Sequence, residues 1–263
     1  MGVRGVKHIH TVAVDNAVVK LADPAFIGHC IETKADLGCK VAKKVDAHEK
    51  VGVLCYKDGK PAVVEYSDID DKTAEMKNDD GELTFGLGNI CIHYYSLDFL
   101  KGPCSPEQLP KEYHLAKKQI PYTDAETGEA VSKDNIPEPN GIKLEAFIFD
   151  VFFKSKSLAV MEIRRDDEFS PVKTAPGNPV YSPDSARQIF SDLHAKWLYH
   201  AGATLEGTGH VEVSPLVSYG GEGLTPFNKV ILNKPALVLP EEEAAGIEGA
   251  TPVNDKVKHA VNK

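Results

Sequence analysis

Along the first third of the chain, apolar residues fall in short runs that alternate with polar ones, the pattern of half-buried strands. Val6–Val14, Lys40–Val45, Val51–Tyr56, Pro61–Tyr66 and Ile90–Tyr95 each read as strands. Lys57-Asp58-Gly59-Lys60 joins the third run to the fourth as a hairpin, because Asp-Gly tolerates the positive φ that a tight turn needs. Asp23-Pro24 opens a short helix through Ile31, with Asp as cap and Pro in the first turn. Farther on, Leu158–Ile163 predicts a buried strand, and residues from Asp184 to Tyr199 predict an amphipathic helix stopped by Gly202. Residues Asp70–Glu82 form an exposed polar connection. Pro103–Pro139 is a loop-rich excursion whose single helical stretch is Leu115–Lys118. For Asn140–Phe152 periodicity does not separate helix from strand; Phe147 and Phe149 share a face only if it is extended. The tail offers Val211–Val213, Leu216–Tyr219 and a strand pair around Val230–Leu232 and Ala236–Leu239, then frays over its last ~20 residues.

The ends of these strands carry the candidate chemistry. Leu158–Ile163 empties into Arg164–Lys173, RRDDEFSPVK, and in open α/β sheets ligands collect beyond the carboxyl ends of strands. Lys173 is the candidate there, and a solvated surface turn is the competing reading. Asp15 follows the first strand, where a carboxylate suits Mg²⁺ near phosphates or simply closes an Asx turn. Gly52, inside a strand, implies close approach by another backbone or by a ligand. Glu65-Tyr66 offers an acceptor and an amphipathic ring suited to sugar hydroxyls, and Asn89, after Gly86 and Gly88, offers donor and acceptor. His8 and His10 lie on one face of the first strand and read as packing residues.

Composition narrows the function classes. At 263 residues and 42% hydrophobic content the chain can bury one substantial core and a smaller satellite. A net charge of −9 argues against the basic face that nucleic acid or an anionic membrane would require, while leaving room for a local basic pocket for a small phosphate. The five cysteines are odd in number and lack a CxxC pair, so they read as reduced thiols of a cytoplasmic protein. No apolar run approaches the roughly 18 residues of a membrane span. Met1-Gly2 lacks the hydroxyl residue of a myristoylation motif, since Val6 stands in its place.

VDN (Val14–Asn16), ADPAFIG (Ala22–Gly28), VVEYSDI (Val63–Ile69), GNI (Gly88–Ile90), PNGIKLEAFIFDVF (Pro139–Phe152), RRDDEFSPVK and SPLVSYGGEGL (Ser214–Leu224) follow one another in an order that resembles the eukaryotic UDP-N-acetylglucosamine pyrophosphorylases. The resemblance implies an α/β fold: an incomplete Rossmann-like nucleotidyltransferase domain with a mixed sheet over residues 1–175, and a small α+β domain over 176–263. It implies UTP and N-acetylglucosamine 1-phosphate as partners and Mg²⁺ as cofactor, with UDP-N-acetylglucosamine and pyrophosphate as products. By the same resemblance, Asp15 serves metal and phosphates, and Gly52, Glu65, Tyr66 and Asn89 hold the sugar. Phe147 and Phe149 line the N-acetyl pocket, Lys143 contacts the nucleotide phosphates, and Lys173 the sugar-linked phosphate. Two departures qualify this. The family's glycine-rich loop, GGxGTRLG, occurs nowhere in the chain, which implies the carboxyl-side portion of such an enzyme; and Thr174-Ala175 follows Lys173 where the family has Asn-Ala. An inactive sugar-phosphate-binding or partner-binding module, a uridylyltransferase for another hexose 1-phosphate, and self-association are left open.

Overall fold

The computed structural model describes residues 1–109, 113–247 and 249–253. Its centre is a six-stranded mixed sheet ordered β10-β2-β5-β3-β4, with β1 also paired to β5. The members are β1 (His8–Thr11), β2 (Leu37–Lys43), β3 (Val53–Lys57), β4 (Lys60–Val64), β5 (Leu87–Ser96) and, later in the chain, β10 (Leu158–Glu162). Only β10 and β2 run parallel; the other pairs are antiparallel. At the hairpin, Asp58 and Gly59 take φ of 53° and 74°, the two left-handed positions of the expected turn.

Both faces of the sheet are covered. On one, Phe26 and Cys30 of α1 (Pro24–Glu32) pack with Ala42, Ile90, Ile92, Tyr94 and Ala159. Asp23 caps that helix, accepting from the Ala25 N–H at 3.0 Å. On the other, Phe99 of α3 (Leu97–Lys101) and the Phe149–Phe152 turn cover Leu37, Cys39, Val41 and Tyr95. The short α2 (Asp71–Ala74) belongs to the exposed connection. His8 stacks on Tyr94 and His10 meets Phe26 edge-on, as packing residues do.

Several expectations fail for identifiable reasons. Leu115–Lys118 is strand, not helix: β6 (His114–Lys118) pairs with β9 (Gly141–Glu145), and the partner strand overrides local propensity. A smaller clip joins β7 (Tyr122–Thr123) to β8 (Ala130–Val131). Residues 110–112 of the same excursion lie outside the described residues. β10 is an edge strand with Val160 40% exposed, not a buried one.

The carboxyl-side third has its own apolar cluster around α5 (Pro183–His200), where Leu198 packs with Val211, Val213, Phe227 and Val238. A Ser182/Ser185 capping box starts this helix, and Gly202 at φ 91° ends it. The strands around Val230 and Ala236 do not pair with each other. β11 (Thr204–Glu206) takes β13 (Ile231–Asn233), while β12 (Val211–Val213) takes β14 (Ala236–Pro240). Leu216–Tyr219 lies in a turn. Within the stretch expected to fray, α6 (Glu241–Ala244) and β15 (Ala250–Val253) are formed; residues 248 and 254–263 lie outside the described residues. Among the described residues no helix is long and apolar enough to cross a membrane.

Candidate functional site

The geometry begins with an irregularity in the central pair. The β2–β5 register shifts between Lys40, opposite Ile92, and Val41, opposite Asn89, so that Ile90 and Cys91 bulge out of the ladder. Cys91 has φ of 56°, a left-handed conformation that a non-glycine residue adopts at a cost of about 1–3 kcal/mol. The Asn89 carboxamide pins the bulge. Its Oδ1 accepts from the Cys91 N–H at 3.1 Å, from His93 Nε2 at 2.9 Å and from the Cys39 thiol at 3.6 Å. The sequence promised both a donor and an acceptor at Asn89. Oδ1 is already occupied, so what Asn89 has left to offer is its NH₂, whose protein partner is the weak Cys91 sulfur at 3.7 Å.

Three charged candidates lie close enough to this bulge for their charges to act on it. Burial pushes the Cys91 thiol up, and the charges of Glu65, Lys173 and Asp15 all act on it. Burial likewise raises the Glu65 carboxyl, with Asp68 adding to the rise while His114 and Lys173 oppose it. Gly52 explains how Glu65 reaches this place. A Cβ there would lie 2.7 Å from Glu65 Oε1 and 2.9 Å from Val63, so what approaches Gly52 is the Glu65 side chain and not the backbone or ligand expected. The Gly52 carbonyl also accepts from the Asn89 N–H at 2.7 Å, tying the two strands together.

Asp15 and Lys173 are set side by side by backbone. Asn16 bridges to Pro171, and the Val172 N–H donates to the Asp15 carbonyl at 2.9 Å. Asn16, 3% exposed, locks the bridge: its NH₂ donates to the Glu168 carbonyl at 2.7 Å, and its Oδ1 accepts from the Ser170 N–H at 2.8 Å. Beneath lies a buried ionic cluster in which Lys40 Nζ bonds to both Asp23 and Glu168, and Lys20 reaches Glu168 at 3.3 Å. The charged run therefore does not form a solvated turn. It folds as α4 (Arg165–Glu168), with Arg165 bonded to Glu49 at 2.9 Å and Asp167 to Lys196 at 2.6 Å.

The other candidates stand apart from this convergence. Phe147 and Phe149 stack at 4.9 Å not in an extended segment but across a turn, where the Asp150 N–H donates to the Phe147 carbonyl at 3.1 Å; Phe149, 5% exposed, belongs to the core, against His93. Lys143 projects from β9, 64% exposed, and pairs with Glu145 at 3.1 Å. The Tyr66 ring is 45% exposed just past the hairpin. Four residues that the sequence reading passed over help to build the site. Cys91 sits at its centre and His93 holds Asn89; His114 bonds to Asp150 at 2.9 Å, and both act on Glu65. None carries a local signal, because their roles depend on strand pairing across distant segments.

A sequence profile of the UTP--glucose-1-phosphate uridylyltransferase family matches residues 1–219. The chain belongs to that family. Among its relatives, the UDP-N-acetylglucosamine pyrophosphorylase of Saccharomyces cerevisiae is 42% identical over 240 residues, covering 90% of this chain and 49% of the yeast protein. The human UDP-N-acetylhexosamine pyrophosphorylase-like protein 1 is 41% identical over 259 residues, covering 92% and 50%. The crystal structure of the uridine diphosphate N-acetylglucosamine pyrophosphorylase from Trypanosoma brucei, in complex with an inhibitor, superposes with a TM-score of 0.69 at 32% identity, covering 84% of this chain and 45% of that one. The fold is accordingly of the nucleotidyltransferase type. The chain spans about half the length of the curated relatives it matches.

Proposed function

We propose that this chain carries the sugar-phosphate side of a uridylyltransferase site, which takes N-acetylglucosamine 1-phosphate and, in a protein of the family's full length, joins it to UTP with release of pyrophosphate. The observation that carries the reading is that Glu65, packed on Gly52 beside the Asn89–Cys91 bulge, and the backbone-joined Asp15 and Lys173 segments all lie close enough to act on Cys91. Such a transfer needs no covalent nucleophile. An oxygen of the sugar phosphate attacks the α-phosphorus in line, and the protein contributes alignment and charge neutralisation. Lys173 is the cation that meets the sugar-linked phosphate, Glu65 the acceptor for sugar hydroxyls, and the Asn89 NH₂ a further donor. Lys143, exposed on β9, is the candidate for the nucleotide phosphates, and Tyr66 and Phe147 for walls of the sugar pocket.

Asp15 is the residue that would hold Mg²⁺, and its surroundings fit that ion. Asp15 is half-buried and its carbonyl accepts from the Val172 N–H beside Lys173, so it offers the single carboxylate that Mg²⁺ takes when water and substrate phosphates fill its remaining positions. When bound, the ion would supply neutralisation of charge on the transferred phosphoryl group. Five free cysteines suit a reducing compartment, which favours the cytoplasm.

Calorimetric titration of the chain with N-acetylglucosamine 1-phosphate tests the reading. A saturable heat that disappears in Lys173→Ala is expected, and absence of heat with the folded wild-type chain overturns it. Pyrophosphate release from UTP, with the amino-side half of the yeast relative supplied separately, tests the transfer step. Repeating the titration with glucose 1-phosphate and N-acetylgalactosamine 1-phosphate ranks the sugars.

A further inference from the structure

Apart from the Asp15–Lys173 region, the structure holds a cavity of about 260 Å³ between residues 17–21, helix α5 and the turn after β12. Its walls are mostly apolar, with Val18, Leu193, Phe190, Trp197 and Tyr219 prominent among them. An apolar cavity of about 150 Å³ suffices to bind benzene, so this one has room for a substituted or bicyclic ring.

The polar groups around it are nearly all committed. Lys20 is paired with Glu168 and Asp167 with Lys196. The Tyr219 hydroxyl donates to the Leu21 carbonyl at 2.9 Å, and Ser218 Oγ accepts from the Gly221 N–H at 2.9 Å. His194 is the exception. It is 4% exposed, and its Nδ1 accepts from the Val213 N–H at 3.1 Å. Burial lowers its pKa to about 4, so the ring is neutral, and a neutral imidazole that accepts at one nitrogen carries its proton on the other. Nε2–H is therefore a donor, and no protein acceptor meets it among the described residues. The ring itself is held between Phe190, at 4.1 Å, and Trp197, at 4.5 Å.

Charge around the mouth selects the kind of occupant. Lys20, the cation lining the cavity, is already neutralised by Glu168, and Asp167 in the wall is held by Lys196, so the mouth offers an incoming anion no uncommitted partner among these groups. An anionic ligand is disfavoured there. We propose that the cavity is a second binding site, for a neutral planar aromatic or heteroaromatic ring bearing a carbonyl oxygen, which accepts from His194 Nε2–H while the ring packs against Phe190 and Trp197. The proposal is independent of the sugar-phosphate reading.

Trp197 is the chain's single tryptophan, so its emission reports occupancy directly. Titration of the full chain with benzamide should give a saturable change, and toluene, which has the ring without the acceptor, should bind roughly ten-fold more weakly, the worth of one hydrogen bond. His194→Phe should bring benzamide down to the level of toluene and leave toluene unchanged. Val18→Phe, which fills the cavity, should abolish both responses. A change linear in benzamide concentration, or a His194→Phe chain that binds benzamide as tightly as wild type, overturns the proposal. If His194→Phe does not fold, the ¹⁵N resonance of His194 Nε2 in the wild-type chain decides: benzamide must shift it, and a resonance that stays in place overturns the proposal equally.

Discussion

Cys39 and Lys40 are neighbours on β2 and point to opposite faces of the sheet, into two buried polar clusters built on different principles. On the Cys39 side the cluster is neutral: Cys39, His93 and the Cys91 N–H all donate to Asn89 Oδ1. On the Lys40 side it is ionic: one fully buried ammonium lies between the Asp23 and Glu168 carboxylates and over the Phe26 ring. The neutral cluster fixes the shape of one strand, the bulge that carries Cys91. The ionic cluster fastens three segments far apart in sequence, the start of α1, the middle of β2 and the end of α4. Local shape needs only hydrogen bonds, whereas holding distant segments together draws on the stronger, charge-assisted kind.

Removing Lys40 should therefore be the most damaging single change. Lys40→Met leaves two carboxylates with their counter-charge gone, and breaking a buried pair in this way costs about 3–5 kcal/mol. Urea denaturation measures it. Adding Asp23→Asn and Glu168→Gln to Lys40→Met should recover a substantial part of the loss, since no buried charge is then left unpaired. A triple variant no more stable than the single one would show that the cluster's worth lies in packing and not in charge.

The response to acid reverses the intuitive ranking of the two clusters. Asp23 ionises below its ordinary 3.8: burial works to raise it, but the hydrogen bond and charge of Lys40 outweigh that, so its stabilising contribution is lost only as pH falls through that lowered value. His93 is the earlier failure. Burial, with help from the nearby His10, lowers its pKa from 6.5 to about 3, so between those values the unfolded chain takes a proton that the folded chain refuses. Stability should drop by up to roughly 1.4 kcal/mol per pH unit for this one residue as pH falls below 6.5, or about 2 kcal/mol by pH 5. His93→Gln, which keeps an N–H for Asn89 and cannot take the proton, should flatten the curve between pH 6.5 and 5. An unchanged slope would place the acid-sensitive group elsewhere, with His194, lowered to about 4, the next to test.

The same contrast explains what could be read in the sequence. The Asp-Gly hairpin, the Asp23 cap, the long helix ended by Gly202 and the clustering of Asp15 with Lys173 are written in local patterns or in segments that match the family. Lys40 is not. In Lys40-Val41-Ala42-Lys43 it is one of two strand lysines, and nothing in the spacing says that it faces carboxylates 17 positions before it and 128 after it. Glu168 looked like part of a solvated run for the same reason. Leu115–Lys118 has a helical local pattern yet forms a strand, because its partner, Gly141–Glu145, lies beyond a loop-rich stretch. What the sequence hides is which distant segments meet.

Glu65 offers the smallest effect and the sharpest separation between holding the fold and holding a ligand. It belongs to neither cluster, yet lies beside the bulge that the neutral one shapes. Its carboxyl is raised above 4.5, by burial first and by Asp68 second, so the folded chain favours the protonated form, and the ionised form costs stability once pH rises through the folded value. Glu65→Gln should therefore raise stability slightly at pH 7.5, by less than about 1 kcal/mol once solvent screening is counted, seen as a small rise in melting temperature, and that gain should vanish at pH 4. In the same variant the heat of binding N-acetylglucosamine 1-phosphate should fall, because an amide offers a sugar hydroxyl a weaker acceptor than a carboxylate does. A residue whose removal stabilises the fold and weakens the ligand is kept for the ligand. If Glu65→Gln leaves both the melting temperature and the heat unchanged, Glu65 is only a solvated strand end, and the sugar must be held by Asn89, Tyr66 and Lys173 without it.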